Sequence, residues 1–356
     1  MDEVRYGVIG TGMMGIEHIE NIGALDGGVV TALADPEPSS LEAGRAAAGH
    51  DLATFADHRE LLDSGLADAV VVASPNMTHV DVLLDVIASG THVLTEKPLC
   101  TTVPDCRRVI DAAARTESIV WVGLEYRYMP SIARLVDDVR SGEIGRLRML
   151  SIREHRFPFL DKVGHWNRFN RNTGGTLVEK CCHFFDLMNL IGAARPTRVF
   201  ASAGQDVNHL DERYDGEVPD ILDNAYVIVD YDNGVRAMLD LCMFAEASKE
   251  QGEVVAVGDR GKVEAFTPSA EYRLGHRADG RLGVKVETIH DSRIRHEGLH
   301  HGSSYLEHLD FLEAVRTGSA PGVSLDDGLL AVAIGVAAHR SVDERRAVEL
   351  DEVLAG

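Results

Sequence analysis

The segment Val8-Ile9-Gly10-Thr11-Gly12-Met13-Met14-Gly15 restricts the fold more than any other stretch of the chain. A strand-like run, Val4 to Ile9, leads into it, and residues with helical spacing, Gly15 to Leu25, follow. Gly10 lets the chain turn sharply, Gly12 leaves room for a pyrophosphate at the backbone, and Gly15 lets the helix pack close on the strand. The helix start around Met13 and Met14 offers unpaired N–H groups and a positive dipole end to phosphate oxygens. A second apolar run, Val29 to Ala34, ends in Asp35, placed to accept from both hydroxyls of a ribose. A bound dinucleotide is therefore expected at Gly10, Gly12, Met13, Met14, Gly15 and Asp35. The carboxylate at Asp35 would repel a 2′-phosphate, and Pro36-Glu37-Pro38 brings no arginine for one, so NAD is expected rather than NADP.

Residues 1–124 alternate strand signals at 4–9, 29–34, 69–73, 92–95 and 119–122 with helical ones at 15–25, 39–48, 58–64, 78–89 and 104–115. Nearly continuous apolar runs such as Ala69-Val70-Val71-Val72-Ala73 suit parallel strands covered on both faces. Beyond residue 124 the strand signals lengthen: 146–157, 197–207, 223–231, 235–245, 252–266 and 283–291, with a hairpin signal at Asn233-Gly234. Helices are expected over 130–141, 174–192, 303–317 and 325–341. The fold class expected is a doubly wound α/β domain with a parallel sheet over 1–124, then an α+β domain on a large, mostly antiparallel sheet over 125–356.

Net charge is −22, which argues against a nucleic-acid surface. No apolar run is long enough to span a bilayer, and the acidic N-terminus lacks a signal-peptide pattern, so a cytoplasmic protein without a membrane partner is expected. The five cysteines have irregular spacing, which fits reduced thiols. His296, His300, His301 and His308 cluster in sequence, but without ligand spacing or an acidic or cysteine partner in zinc-binding spacing, and no metal is expected.

Ligands of doubly wound sheets lie beyond the carboxyl ends of the strands. Two loops occupy that edge: Ser74-Pro75-Asn76-Met77-Thr78-His79 and Thr95-Glu96-Lys97-Pro98-Leu99. Lys97 stands at the mouth of the crevice and is a candidate functional cation. In Gly174-Gly175-Thr176-Leu177-Val178-Glu179-Lys180-Cys181-Cys182-His183-Phe184-Phe185-Asp186, Glu179 and His183 share one face of a helix that is apolar on nearly every other side. Such polar groups would be buried, and so paired or functional.

Taken together, these features resemble the Gfo/Idh/MocA family of sugar and polyol oxidoreductases, over almost the whole length. The marks are the Gly10–Gly15 turn, Ala34-Asp35-Pro36, Ser74-Pro75-Asn76 with His79, and Glu96-Lys97-Pro98-Leu99. Gly123 with Arg127 and Pro130, the Gly174-Gly175 helix with His183 and Asp186, and Ser324-Leu325-Asp326-Asp327-Gly328 complete them. The resemblance implies that Lys97 and His183 are catalytic, with a carboxylate four residues before the histidine. That carboxylate is usually aspartate and here is Glu179; Lys180 stands where a small or apolar residue is usual, Cys181 where glycine is common, and Glu125 where asparagine is frequent. The resemblance further implies a Rossmann first domain, a homodimer or homotetramer, and hydride transfer from a sugar, sugar-acid or inositol hydroxyl to the nicotinamide. His183 would take the hydroxyl proton, Lys97 would hold the developing alkoxide, and Glu179 would orient His183 or bind an adjacent hydroxyl. Ser74, Pro75, Asn76, His79, Glu96 and Arg127 would support the nicotinamide pocket. Some relatives are redox-neutral NAD-dependent glycoside hydrolases, which oxidise, eliminate the aglycone, add water and reduce again; that outcome stays open beside simple oxidation.

The stretch before the catalytic helix carries Arg153, Arg156, Lys162, His165, Arg168 and Arg171 in an otherwise acidic chain. Two readings follow. Arg156, Arg168 and Lys180 line a pocket for an anionic sugar bearing a carboxylate, sulfonate or phosphate; or these cations bind acids of the same protein or of a neighbouring subunit. Separately, His300 or His301 is expected to line the substrate pocket.

Overall fold

The computed structural model describes residues 3–355, and its packing separates two compact units. The first comprises 1–125, 162–166 and 293–332; the second comprises 126–161, 167–292 and 333–356. The first segment of unit one thus ends where the sequence changes character, but 162–166 and 293–332 return to it, which division at 124 did not anticipate.

The first unit holds β1 (Val4–Ile9), β2 (Gly28–Ala34), β3 (Ala53–Phe55), β4 (Ala69–Val72), β5 (His92–Glu96) and β6 (Val120–Gly123). They form one parallel sheet in the order β3-β2-β1-β4-β5-β6. Helices α1 (Met13–Gly23), α2 (Pro38–Ala48), α3 (His58–Asp63), α4 (His79–Ser89) and α5 (Val103–Ala113) connect the strands. The sheet order reverses between β1 and β4, the point at which a doubly wound sheet opens its ligand crevice. The short β3 escaped the sequence reading, because three residues carry too little periodicity.

The second unit is a nine-stranded sheet with the order β14-β13-β12-β11-β7-β10-β9-β8-β15. Its strands are β7 (Leu147–His155), β8 (Pro196–Gly204), β9 (Asn224–Tyr231), β10 (Arg236–Cys242), β11 (Gly252–Gly258), β12 (Gly261–Thr267), β13 (Glu271–His276), β14 (Lys285–Thr288) and β15 (Val348–Glu349). Only β7 and β10 pair in parallel. The run 252–266, expected as one strand, is a hairpin, turning at Asp259-Arg260 where both amides bond back to the 144–146 segment. One face of this sheet is buried by Val227, Val229, Leu239, Ile152 and Val254. The other exposes a cross-strand row: Phe200 opposite Ile228, and Ile228 opposite Met238.

Gly15 fixes the geometry of the first turn. A Cβ built there would lie 2.0 Å from Gly10 O, so nothing but hydrogen fits between helix and turn. Gly15→Ala is expected to destabilise the first unit by about 2 kcal/mol or more, as overpacking does. A thermal melt indistinguishable from the wild type would reject this.

Candidate functional site

The glycine turn behaves as its spacing demands. Gly10 has φ +88°, and a Cβ there would strike the Ala73–Ser74 backbone at 2.6–2.7 Å. Gly12 is different: a Cβ there would meet nothing within 4 Å. Packing within the chain does not require glycine at this position, whereas a close-lying pyrophosphate would, so the cradle fits a dinucleotide. Asp35 is oriented by Thr11 N (2.8 Å) and by Glu37 N (2.9 Å), each donating to a different carboxylate oxygen. Those bonds hold the carboxylate at the end of β2, where it would accept hydrogen bonds from the adenosine ribose hydroxyls of a bound NAD.

His79 ties together the two loops at the carboxyl edge of the sheet. Its Nδ1 lies 2.8 Å from Pro98 O and its Nε2 3.0 Å from Ser74 O. The ring is fully buried, and burial holds its pKa below the ordinary histidine value. It is a brace for the loops that carry Asn76 and Lys97. Lys97 is half-buried, and its amide donates to Glu96 Oε2 at 3.1 Å.

Behind Lys97 lies a buried network that the sequence did not announce. Glu96 Oε1 is 3.0 Å from His18 Nε2, and His18 Nδ1 is 2.8 Å from His308 Nε2. Burial opposes ionisation of Glu96, but His18 and Lys97 outweigh it and hold its pKa low. One residue earlier on α1, Glu17 Oε1 accepts from Leu299 N (3.1 Å), lies 3.1 Å from His300 Nδ1, and accepts from Ser304 Oγ (3.3 Å). His300 Nε2 faces Glu125 Oε1 at 3.5 Å. Burial disfavours the His300 cation, yet Glu125 and Glu17 more than compensate, and its pKa is raised. Glu125, where burial is the larger influence, is pushed up; Glu17, where His300 prevails over burial, is pulled down. His300 therefore joins this cluster, while the neighbouring His301, expected at the substrate, is exposed.

In the second unit the helix expected over 174–192 is broken. Thr176–Glu179 forms one short turn and Cys182–Gly192 the main helix. Gly175, at φ +89°, leaves space for His339, whose Nε2 accepts from Leu177 N at 3.2 Å. Burial drives the His339 pKa down to about 4, which keeps it neutral for that role. Glu179, Lys180, His183 and Asp186 are all buried, as the apolar surroundings predicted. Asp186 does not serve His183: it takes a two-pronged ion pair from Arg127, with Nε to Oδ2 at 2.6 Å. Arg127, expected at the cofactor, is thus committed in this structure to holding the main helix.

His183 stacks on Tyr126, with ring centroids 4.1 Å apart and planes 10° apart. Lys180 Nζ donates to Tyr126 Oη at 2.7 Å and lies 3.2 Å from Glu154 Oε1. Glu154 also accepts from Gln251 Nε2 at 3.1 Å and sits 3.6 Å from Arg156. The arginines of the 153–171 stretch pair with acids of this chain: Arg168 with Asp161 and Glu212, Arg153 with Glu253, Arg171 with Glu217. Lys162 lies over Trp166 at 5.5 Å. Among the described residues, no group of three or more His, Cys, Asp and Glu could hold a metal ion, and no helix is long and apolar enough to cross a membrane.

Residues 4–124 match the profile described as oxidoreductase family, NAD-binding Rossmann fold, and 136–350 match that family's C-terminal alpha/beta domain. Myo-inositol 2-dehydrogenase of Thermotoga maritima is 28% identical over 99% of this chain and 100% of its own length. Inositol 2-dehydrogenase 2 of Saccharopolyspora erythraea is 30% identical over 95% and 93%. A crystal structure of a probable dehydrogenase from Thermotoga maritima superposes with a TM-score of 0.78 at 26% identity, covering 98% of this chain and 100% of that one. Levoglucosan dehydrogenase in complex with NADH shares the fold, with a TM-score of 0.87 at 20% identity, covering 98% and 99%.

Glu17 and His300 give this site a pH signature. His300, with a raised pKa, contributes stability that is full below its unfolded value and lost as pH rises through the folded one. Glu17, with a lowered pKa, contributes above its unfolded value and loses it as pH falls through the folded one. Glu17→Gln should therefore cost most, about 3 kcal/mol, where His300 is protonated, with the loss shrinking as pH rises through the raised pKa of His300 and the imidazole gives up its proton. Denaturant melts of both proteins across that pH range measure this; a constant difference contradicts it.

Proposed function

Since the chain belongs to the Gfo/Idh/MocA oxidoreductase family and binds NAD in its Rossmann unit, we propose that it oxidises a ring hydroxyl of a neutral polyol or sugar of the inositol type. Inositol dehydrogenases that align with it end to end support the substrate class. Bound NAD supplies the hydride acceptor. Lys97 donates a hydrogen bond to the reacting hydroxyl and stabilises the charge that develops on its oxygen. His183 accepts the hydroxyl proton, and Glu179, four residues earlier across the helix break, orients the imidazole or holds an adjacent hydroxyl. Glu96, kept ionised by His18 and Lys97, fixes the lysine end of this pair.

The observation that carries the reading is the Gly12 cradle beside an oriented Asp35. The acidic partners of Arg156, Arg168 and Lys180 support a neutral substrate. A panel of inositols, monosaccharides, sugar acids and aryl glycosides, followed by NADH absorbance and aglycone release, tests both. Neutral polyols should reduce NAD, and His183→Ala should lower kcat by about 10²–10⁴-fold. Preference for acidic sugars would overturn the neutral assignment; aglycone release without NADH accumulation would replace oxidation by the redox-neutral hydrolysis.

The chain also acts as a homodimer or homotetramer in this proposal. The exposed row Phe200, Ile228 and Met238 crosses three neighbouring strands, and a continuous apolar sheet face calls for a partner surface. Light scattering should give an oligomer, and Ile228→Lys should shift it toward monomer; a wild-type monomer would refute this.

A further inference from the structure

Lys180 is an unusual residue to find beside the catalytic histidine, and its contacts assign it a task. It follows the short helix Thr176–Glu179 and sits in the break before Cys182–Gly192. There the amides of Lys180 and Cys181 both bond back to Thr176 O, and the Cys182 thiol bonds to Glu179 O. The break turns the lysine stem inward, leaving the residue 5% exposed. Its ammonium donates to the Tyr126 phenol at 2.7 Å, lies 4.9 Å from that ring's centroid, and pairs with Glu154 at 3.2 Å. Tyr126 in turn lies flat on His183. Phe184 closes the other side, 5.2 Å from the ammonium and edge-on to Tyr126 at 5.8 Å.

Resting on the assignment of His183 as the proton acceptor, we propose that Glu154, Lys180 and Tyr126 form a clamp that fixes the plane of the His183 imidazole. Glu154 is anchored on the long strand β7 and is 1% exposed. It pins the ammonium; the ammonium pins the phenol oxygen; the phenol ring, parallel to the imidazole, removes its freedom to rotate. A general base must meet its proton along a defined line, so a ring held in one plane raises the fraction of encounters with productive geometry. Arg156 and Gln251 complete the neutralisation of Glu154. Lys180 is thus a positioning residue for His183 and spends its charge inside the protein, leaving none for a substrate anion.

The clamp makes separate predictions for the ring and for the charge. Tyr126→Phe keeps the stacked ring and loses the bond to Lys180; Tyr126→Leu loses both. With the best substrate of the panel, Tyr126→Leu should lower kcat about 10²-fold, the scale of a small misplacement, with NAD affinity unchanged, and Tyr126→Phe, which keeps the ring and loses the pin, should fall between Tyr126→Leu and the wild type. Lys180→Met alone leaves Glu154 buried without its cation, so Lys180→Met/Glu154→Gln is made beside it, removing both charges. That double variant should fold and yet retain the kcat defect. An NMR readout is independent of turnover: the ring current of Tyr126 shifts the His183 Cε1 proton, and the shift should vanish in Tyr126→Leu and diminish in both Tyr126→Phe and the double variant, which lose the pin but keep the ring. An inactive wild type with these shifts would leave the clamp standing and overturn the assigned reaction. An active wild type whose Tyr126→Leu variant keeps its kcat and its His183 resonance would overturn the clamp.

Discussion

The contact between Gly15 and the Gly10 carbonyl sets the position of everything that follows in the first unit. With no Cβ in the way, α1 starts directly at the end of β1, and its first-turn amides point where a pyrophosphate would lie. One helical turn later the same helix carries Glu17 and His18. Glu17 gathers the Leu299 amide, His300 and Ser304 from a segment almost 300 residues away in sequence, and His18 holds Glu96. Since Glu96 precedes Lys97 and bonds its amide, the helix that follows the glycine turn also sets the base of Lys97. A shift of α1 would be felt at both.

Burying so many charges is costly, and both units meet the cost in the same way, by giving each ion several partners. Arg127 and Asp186 are paired through two hydrogen bonds, and Glu154 is shared by Lys180, Arg156 and Gln251. Such pairs add little net stability over apolar residues of the same size, because desolvation offsets attraction. Their benefit is orientation: an ion pair satisfied in one geometry leaves a neighbouring ring one place to sit. The apolar helix Cys182–Gly192 supplies the stability, with Phe185, Leu187 and Met188 fully buried.

The doubly wound unit was legible because its signals are local. The glycine spacing, the apolar strand runs and Asp35 all fall within short windows, and each takes the place expected of it. The second unit was legible as a sheet but not strand by strand. Glycines at 258 and 261 lie in an apolar run that reads as one strand until the turn at Asp259-Arg260 is seen, and β13 lacks a marker of its own. The broken helix was hidden for a related reason: the helical spacing of Glu179 and His183 in sequence carries no mark of the break between them. Pairings were the least legible. Asp186 lies three residues from His183 yet binds Arg127, and Arg168 reaches Glu212, because partners in a buried network are chosen by the fold and not by proximity along the chain.

The charge pattern bears on the substrate through the same physics. An anion captured by Arg156 or Lys180 would have to displace Glu154, which is 1% exposed and has no water to retreat into. Breaking a buried pair while leaving one ion uncompensated costs about 3–5 kcal/mol, a penalty that a hydrogen-bonded carboxylate or sulfonate on the ligand would first have to repay. A neutral polyol asks for no such exchange. Its hydroxyls need hydrogen-bond donors and acceptors and no counter-ion, and the strongly negative chain, at −22 overall, imposes no repulsion on an uncharged ligand. Of the two readings the sequence allowed for these cations, the pairs made by Arg153, Arg156, Arg168, Arg171 and Lys180 favour the internal one, a counterweight to acids of the same unit.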